Sequence, residues 1–341
     1  MEHVEFIVDI GDRAGKEYSI EVKLNEMLGR WEEICFKFKP YKNTFIITGY
    51  DDITMVLDED IVSTQAMLFS PFKKPFEERI IKWDASLKNI SDIIEEWAKL
   101  QGQWMYLQPI FDSQDIAKQL LAETKKFKQV DQGWKNTLVA AQAAKKVLSI
   151  CAEEGLSDKL REFNKNLENI QKELNKYLES KMEKFARFYF LSNDELLEIL
   201  SETKEPSKVQ PHLKKVFENI HQIEFDGTNK IHAMFSGERE RIAFVKFVDP
   251  MRKNVEDWMG EVERMMKSSV RNELKKAITD YKLMHRVEWC KTHPGQCVLN
   301  GSQCLWTAEV EEGISKINEN GVKNYFSKLE EQLNDLVELV Q

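Results

Sequence analysis

Glycine and proline are scarce in this 341-residue chain, at 14 and 8 residues, which argues against both a turn-rich sheet protein and a disordered segment. No apolar run approaches the ~18–20 residues of a membrane span. The opening MEHVEFIVDI lacks the basic and apolar regions of a secretory signal, so a cytosolic chain without a membrane partner is expected. Cysteine occurs only five times, an odd number at scattered spacings, which argues against a disulfide framework. Positive charge is also in deficit. The net charge of −9 gives a field that repels nucleic acid and anionic lipid, so neither is expected as a partner.

Catalytic and cofactor motifs are missing as well. The chain contains no G-x-x-x-x-G-K-[ST] phosphate loop, no G-x-G-x-x-G turn, no G-x-S-x-G elbow and no H-E-x-x-H pair. The one metal-like spacing is CKTHPGQCVLNGSQC, in which Cys290, His293, Cys297 and Cys304 form C-x2-H-x3-C-x6-C. Against zinc, Cys297 and Cys304 sit in the apolar settings CVL and CLW that suit buried structural cysteine. The six histidines are dispersed, with only His285 and His293 near each other, and read as core or surface residues. Met251, Met259, Met265 and Met266 have the spacing of ordinary helix packing around Trp258. Lys125-Lys126-Phe127-Lys128 reads as a solvated face.

What the chain does have is apolar periodicity. Hydrophobic residues make up 42% and include eight Trp and 19 Phe, enough for substantial cores. A single core usually stops growing near ~250–300 residues, so two or more packed units are expected. From Glu77 to Leu107, Ile80, Trp83, Leu87, Ile90, Ile94, Trp97 and Trp104 follow a 3-4 rhythm broken at Gln101, which predicts one long helix ended by Pro109. Ser113 and Asp131 offer N-caps to two further helices, the second running past Val147 to Gly155. Another long helix follows Ser157 and stops near the Phe185–Phe190 cluster. Beyond Pro250 a helix is expected from Val255 to about Trp289, then pieces from Thr307 and from Val322 to Val340 around a break at Asn318-Glu319-Asn320-Gly321.

Two stretches alternate instead. CFKFKPYKNTFIITGYDDITMVL turns at Pro40-Tyr41 and Gly49-Tyr50, and HQIEFDGTNKIHAMFSGERERIAFVKFV turns at Asp226-Gly227 and Gly237-Glu238. The expected fold is mainly α, an elongated stack of helical bundles with two small antiparallel β-hairpin or meander insertions. Four segments are expected: 1–76, helical with a hairpin; 77–186, a long-helix bundle; 187–250, a capped helix and meander; and 251–341, a C-terminal bundle.

The stretch RFYFLSNDELLEIL carries three carboxylates, and each has a structural reading. Ser192 as N-cap and Glu195 three residues later form a capping box, Leu191 and Leu196 a hydrophobic staple, and Asp194 lies in the dipole-favoured first turn. Glu198 falls on a solvent face. With Phe188, Tyr189 and Phe190 as an aromatic anchor just upstream, the stretch predicts a joint whose orientation matters rather than an acidic active site.

The same residues carry a resemblance. RFYFLSNDELLEILSETKEPSKVQPHLKKVFENI is similar to the linker region of dynein heavy chains. TGYDDITMVLDEDIVSTQAM, SPFKKPFEERIIKW, WMYLQPIFDSQDI, DWMGEVERMM and PGQCVLNGSQCLWTAEVE follow in that family's order. The earlier segments resemble the axonemal branch, inner-arm type. Cys297 and Cys304 stand where the family usually carries aliphatics, which weakens the metal reading further. The opening segment also reads as amphipathic from its first residues, as in a piece of a longer chain.

The resemblance implies a curved rod of helical bundles that lies across an AAA+ ring, bending when ATP binds and straightening in the power stroke. It implies a non-catalytic lever without a cofactor of its own, ATP and Mg being held by the ring, which this chain stops short of. Implied partners are the ring of the same heavy chain and other dynein subunits, in the cytoskeleton of a cilium or flagellum. A compliant joint is then expected at Phe185–Ser192. The meander turns at Asp226, Gly227, Gly237 and Glu238 are expected to contact the ring. The rival reading is a free-standing helical adaptor that binds a cytoskeletal partner.

Overall fold

A computed structural model describes residues 2–201, 205–316 and 320–340. Among these, thirteen α-helices and two small antiparallel sheets are found, the mainly α architecture that the periodicity predicts. The chain divides into two compact units, 1–176 and 177–341. No helix among the described residues is long and apolar enough to cross a membrane.

The first unit contains α1 (Glu2–Glu33), β1 (Lys37–Tyr41), β2 (Thr44–Thr48), α2 (Tyr50–Leu68), α3 (Glu77–Asp112), α4 (Gln114–Gln119), α5 (Leu121–Ala144), α6 (Val147–Cys151) and the first part of α7 (Leu156–Lys184). The 36 residues of α3, roughly 54 Å at about 1.5 Å each, form its spine. All seven apolar positions of the 3-4 rhythm are buried. Trp97 meets Trp134 edge-on at 5.0 Å and stacks near Phe36 at 6.1 Å, while Trp104 meets Tyr41 at 5.6 Å. Gln101, where the rhythm breaks, is buried too: its amide accepts from Ile47 N–H at 2.8 Å and donates to Ile47 C=O at 2.9 Å. A side chain thereby pairs the strand edge that β1 leaves open.

Local readings fail where tertiary contacts override them. Pro109 does not end α3, which runs one turn further to Asp112. Burial of Phe111, stacked 5.1 Å from Phe127, offsets the lost backbone bond. Phe127 is thus the core residue within the exposed lysine run. Ser113 stands at the N-cap of α4 but makes no capping bond there. Asp131 is no N-cap either. It lies within α5, where it accepts the Trp104 indole N–H at 2.8 Å and pairs with Lys135 at 2.8 Å. Helix α5 ends at Ala144, short of Val147. The start of α7 falls at Leu156, one residue before the expected cap.

The first β stretch is only half β. Strands β1 and β2 pair from Lys37↔Thr48 to Tyr41↔Thr44, so the turn falls at Lys42-Asn43 and not at Pro40-Tyr41. Lys42 has φ 49, and Pro40 is tolerated within an edge strand. The residues DDITMVL are helical: Asp51 and Asp52 occupy the first turn of α2, and Ile53, Leu57, Asp60, Thr64 and Met67 are buried at 4-3-4-3 spacing.

The second unit contains the end of α7, a 3-10 turn (Ala186–Phe190), α8 (Asn193–Ser201), a second 3-10 turn (Pro206–His212), α9 (Leu213–Val216), β3 (Gln222–Phe225), β4 (Ile231–Phe235), β5 (Arg241–Val248), α10 (Val255–Asp280), α11 (Arg286–Thr292), α12 (Gly295–Ser315) and α13 (Gly321–Val340). Strands β3, β4 and β5 form the expected meander, with pairs such as Ile223↔Met234 and Met234↔Ile242. The Gln210 amide bonds both Ile223 N–H and C=O, the counterpart of Gln101.

The helix expected from Val255 to Trp289 breaks at Tyr281–His285. Trp289 folds back so that its indole N–H donates to Ala277 C=O at 2.7 Å, and its ring meets Tyr281 at 5.3 Å. Thr307 lies inside α12, which starts after Pro294 and buries Cys297, Gly301 and Leu305. Of the expected break before α13, Asn318 and Glu319 lie outside the described residues, while Gly321 opens α13.

Candidate functional site

The predicted capping box is present in both directions. Glu195 N–H donates to Ser192 Oγ at 3.3 Å, and Ser192 N–H donates to the Glu195 carboxylate at 3.0 Å. Lys215 bonds the other carboxylate oxygen. The Lys215 ammonium first, and then the Ser192 backbone N–H, hold the Glu195 carboxyl down at about 2. Leu191 and Leu196 are both buried, as a staple requires. Glu198 is exposed, with its carboxylate 3.4 Å from His212 Nε2.

The aromatic anchor is narrower than expected. Phe188 is fully buried, 5.0 Å edge-on to Phe185, which in turn lies 6.2 Å from Phe217. Tyr189 and Phe190 are 61% and 67% exposed, because the 3-10 turn directs only one aromatic inward.

Charged residues that the sequence reading did not single out fasten the same joint. Lys181 Nζ lies 2.6 Å from Glu256 Oε1 and Lys184 Nζ 3.5 Å from it. Arg187 lies 3.4 Å from Glu263, donates to Val216 C=O at 3.2 Å and covers the Phe217 ring at 5.0 Å. Two spacings in the sequence could have signalled this: cations three apart at 181, 184 and 187, and acids seven apart at 256 and 263. Nothing local says that the two sets meet.

The four meander residues do not converge. Asp226 and Gly227 belong to the β3–β4 turn, Gly237 and Glu238 to the β4–β5 turn, at opposite ends of β4. Asp226 accepts Thr228 N–H at 2.7 Å and Lys230 N–H at 3.0 Å, and lies 2.8 Å from His232 Nε2. His232 first, then Thr228, hold its carboxyl well below the usual range. Ser236 Oγ plays the matching part in the second turn, accepting Glu238 and Glu240 N–H at 3.2 Å. The left-handed residues are Asn229 and Arg239, at φ 63 and 67, and not the glycines.

Among the described residues no three His, Cys, Asp or Glu side chains are grouped to hold a metal. Cys297 is buried while Cys304 is exposed, and burial pushes the Cys297 thiol up, away from the thiolate that zinc binds. His293 instead faces Asp280 at 3.3 Å.

The family model "Dynein heavy chain, N-terminal region 2" matches residues 1–277. The chain belongs to that dynein heavy-chain family. Similarity runs over the whole chain: it is 44% identical over 342 residues to mouse (Mus musculus) dynein axonemal heavy chain 1, covering 100% of this chain and 8% of that protein. Human (Homo sapiens) dynein axonemal heavy chain 12 is 45% identical over 332 residues, covering 96% and 11%, and mouse dynein axonemal heavy chain 3 is 40% identical, covering 99% and 8%. This dynein heavy-chain region therefore spans about a tenth of the relatives it matches. Both the capped joint and the meander fall inside the family match.

Proposed function

We propose that this chain is the mechanical linker of an axonemal dynein motor, carrying force between an AAA+ ring and the rest of the heavy chain without catalysis of its own. The observation that carries the reading is the family match over residues 1–277, with the doubly capped joint inside it. A lever needs pieces that keep their shape under load. The Trp-lined spine α3 and the fastened end of α7 supply such pieces. The segment Phe188–Leu196 then acts as an elbow, and the meander turns around Asp226 and Glu238 as contacts to the ring. ATP and Mg belong to the ring.

One observation favours a second reading. Helix α13 has no buried residue and exposes Val322, Phe326, Leu333, Val337 and Val340. An adaptor that seats a partner helix would present such a stripe. The test is to supply the isolated chain to a heavy-chain motor that lacks it. Altered ATP turnover, lost when 222–248 is removed, supports the linker; no effect at high concentration, with co-pelleting on microtubules, supports the adaptor.

A further inference from the structure

The cationic end of α7 and the acidic start of α10 are matched in spacing and in polarity. Lys181, Lys184 and Arg187 follow one another at three-residue steps, and Glu256 and Glu263, seven residues apart, share one face of α10. Lys181 and Lys184 converge on Glu256 at 2.6 and 3.5 Å, and Arg187 reaches Glu263 at 3.4 Å. Lys267 holds Glu263 from the other side at 2.7 Å. The charges that meet at Glu256 also sit where their helices favour them. The two lysines lie in the last turn of α7, and Glu256 lies in the first turn of α10.

Burial decides what this ladder does. The Lys181 side chain is 9% exposed and that of Glu256 0%. The interdigitated aromatic contacts around the pair resist sliding through their packing. A buried ammonium drawn away from its carboxylate loses its partner where water cannot replace it. Rotation or sliding of the α7 end against α10 is therefore opposed by the buried ion pair in addition to the packing around it.

We infer that the Lys181–Glu256 ion ladder sets the angle and register of the elbow, making Lys181 and Glu256 positioning residues of the lever. This deepens the linker reading and rests on it for its mechanical meaning. It makes the α7 side of the elbow stiff against α10, so any yielding at the elbow falls after Arg187.

The test uses Lys181→Met/Glu256→Leu, which removes both buried charges at similar volume, and Glu256→Gln, which removes one at constant shape. Bio-orthogonal spin labels at the exposed positions Glu179 and Ser268 report the distance between α7 and α10 in the 341-residue protein. The expected result is a broadened or displaced distance distribution in both variants, with helix content by circular dichroism unchanged. A distribution identical to wild type overturns the inference. The same variants in the full heavy chain are expected to glide microtubules more slowly at unchanged ATP turnover. A broadened distribution with unaltered gliding leaves the elbow inference standing and counts against the linker reading.

Discussion

Ser192 and Glu195 each satisfy a backbone N–H that the start of α8 would otherwise leave open. Ser192→Ala is expected to cost ~0.5–2 kcal/mol, measured by chemical unfolding. Because the folded Glu195 carboxyl is held at about 2 against an ordinary 4.5, it contributes stability above pH 4.5 that is lost as pH falls through 2. Glu195→Gln should therefore flatten the decline of Tm between pH 4.5 and 2 and leave the neutral range sloping as before. Leu196, fully buried, should cost ~2–5 kcal/mol as Leu196→Ala. The cap and the staple were legible in the sequence because their partners lie within five residues, whereas Lys215, twenty residues from Glu195, was not. The Lys181–Glu256 pair was not, since 75 residues separate its members and no local rule links them.

At the scale of elements, the periodic faces of α3 and α7 were legible because burial alone writes them. Ends were legible only where the cap is local. Asp131 looks like a cap and is instead the acceptor for the Trp104 indole, and Trp289 looks like the end of a helix that it in fact breaks. Alternation misled at Asp51–Leu57, where too few residues separate a strand from a helix by pattern. Gln101 was visible only as an interruption, and its bonds to Ile47 explain it. Gln101→Leu should leave two buried backbone groups unpaired and cost ~1–3 kcal/mol in unfolding experiments. Gly321 carries a comparable constraint: a Cβ there would lie 2.5 Å from Gly313 C=O and 3.0 Å from Lys316 C=O. Gly321→Ala should displace the start of α13 at ~1–3 kcal/mol, seen as faster amide exchange in α12 and α13.

At the scale of the molecule, the linker reading takes the two compact units as pieces that keep their shape. Family membership was legible from motifs in order along the chain, and mainly α architecture from periodicity. The proposed contact with a ring is legible in no single segment, because it would involve a surface outside this chain. The most direct test places a donor fluorophore at Glu238, in the β4–β5 turn, and an acceptor on the AAA+ ring of the full heavy chain. The lever account expects energy transfer to change between the ATP-bound and nucleotide-free states. Transfer that stays constant through the ATP cycle would contradict it.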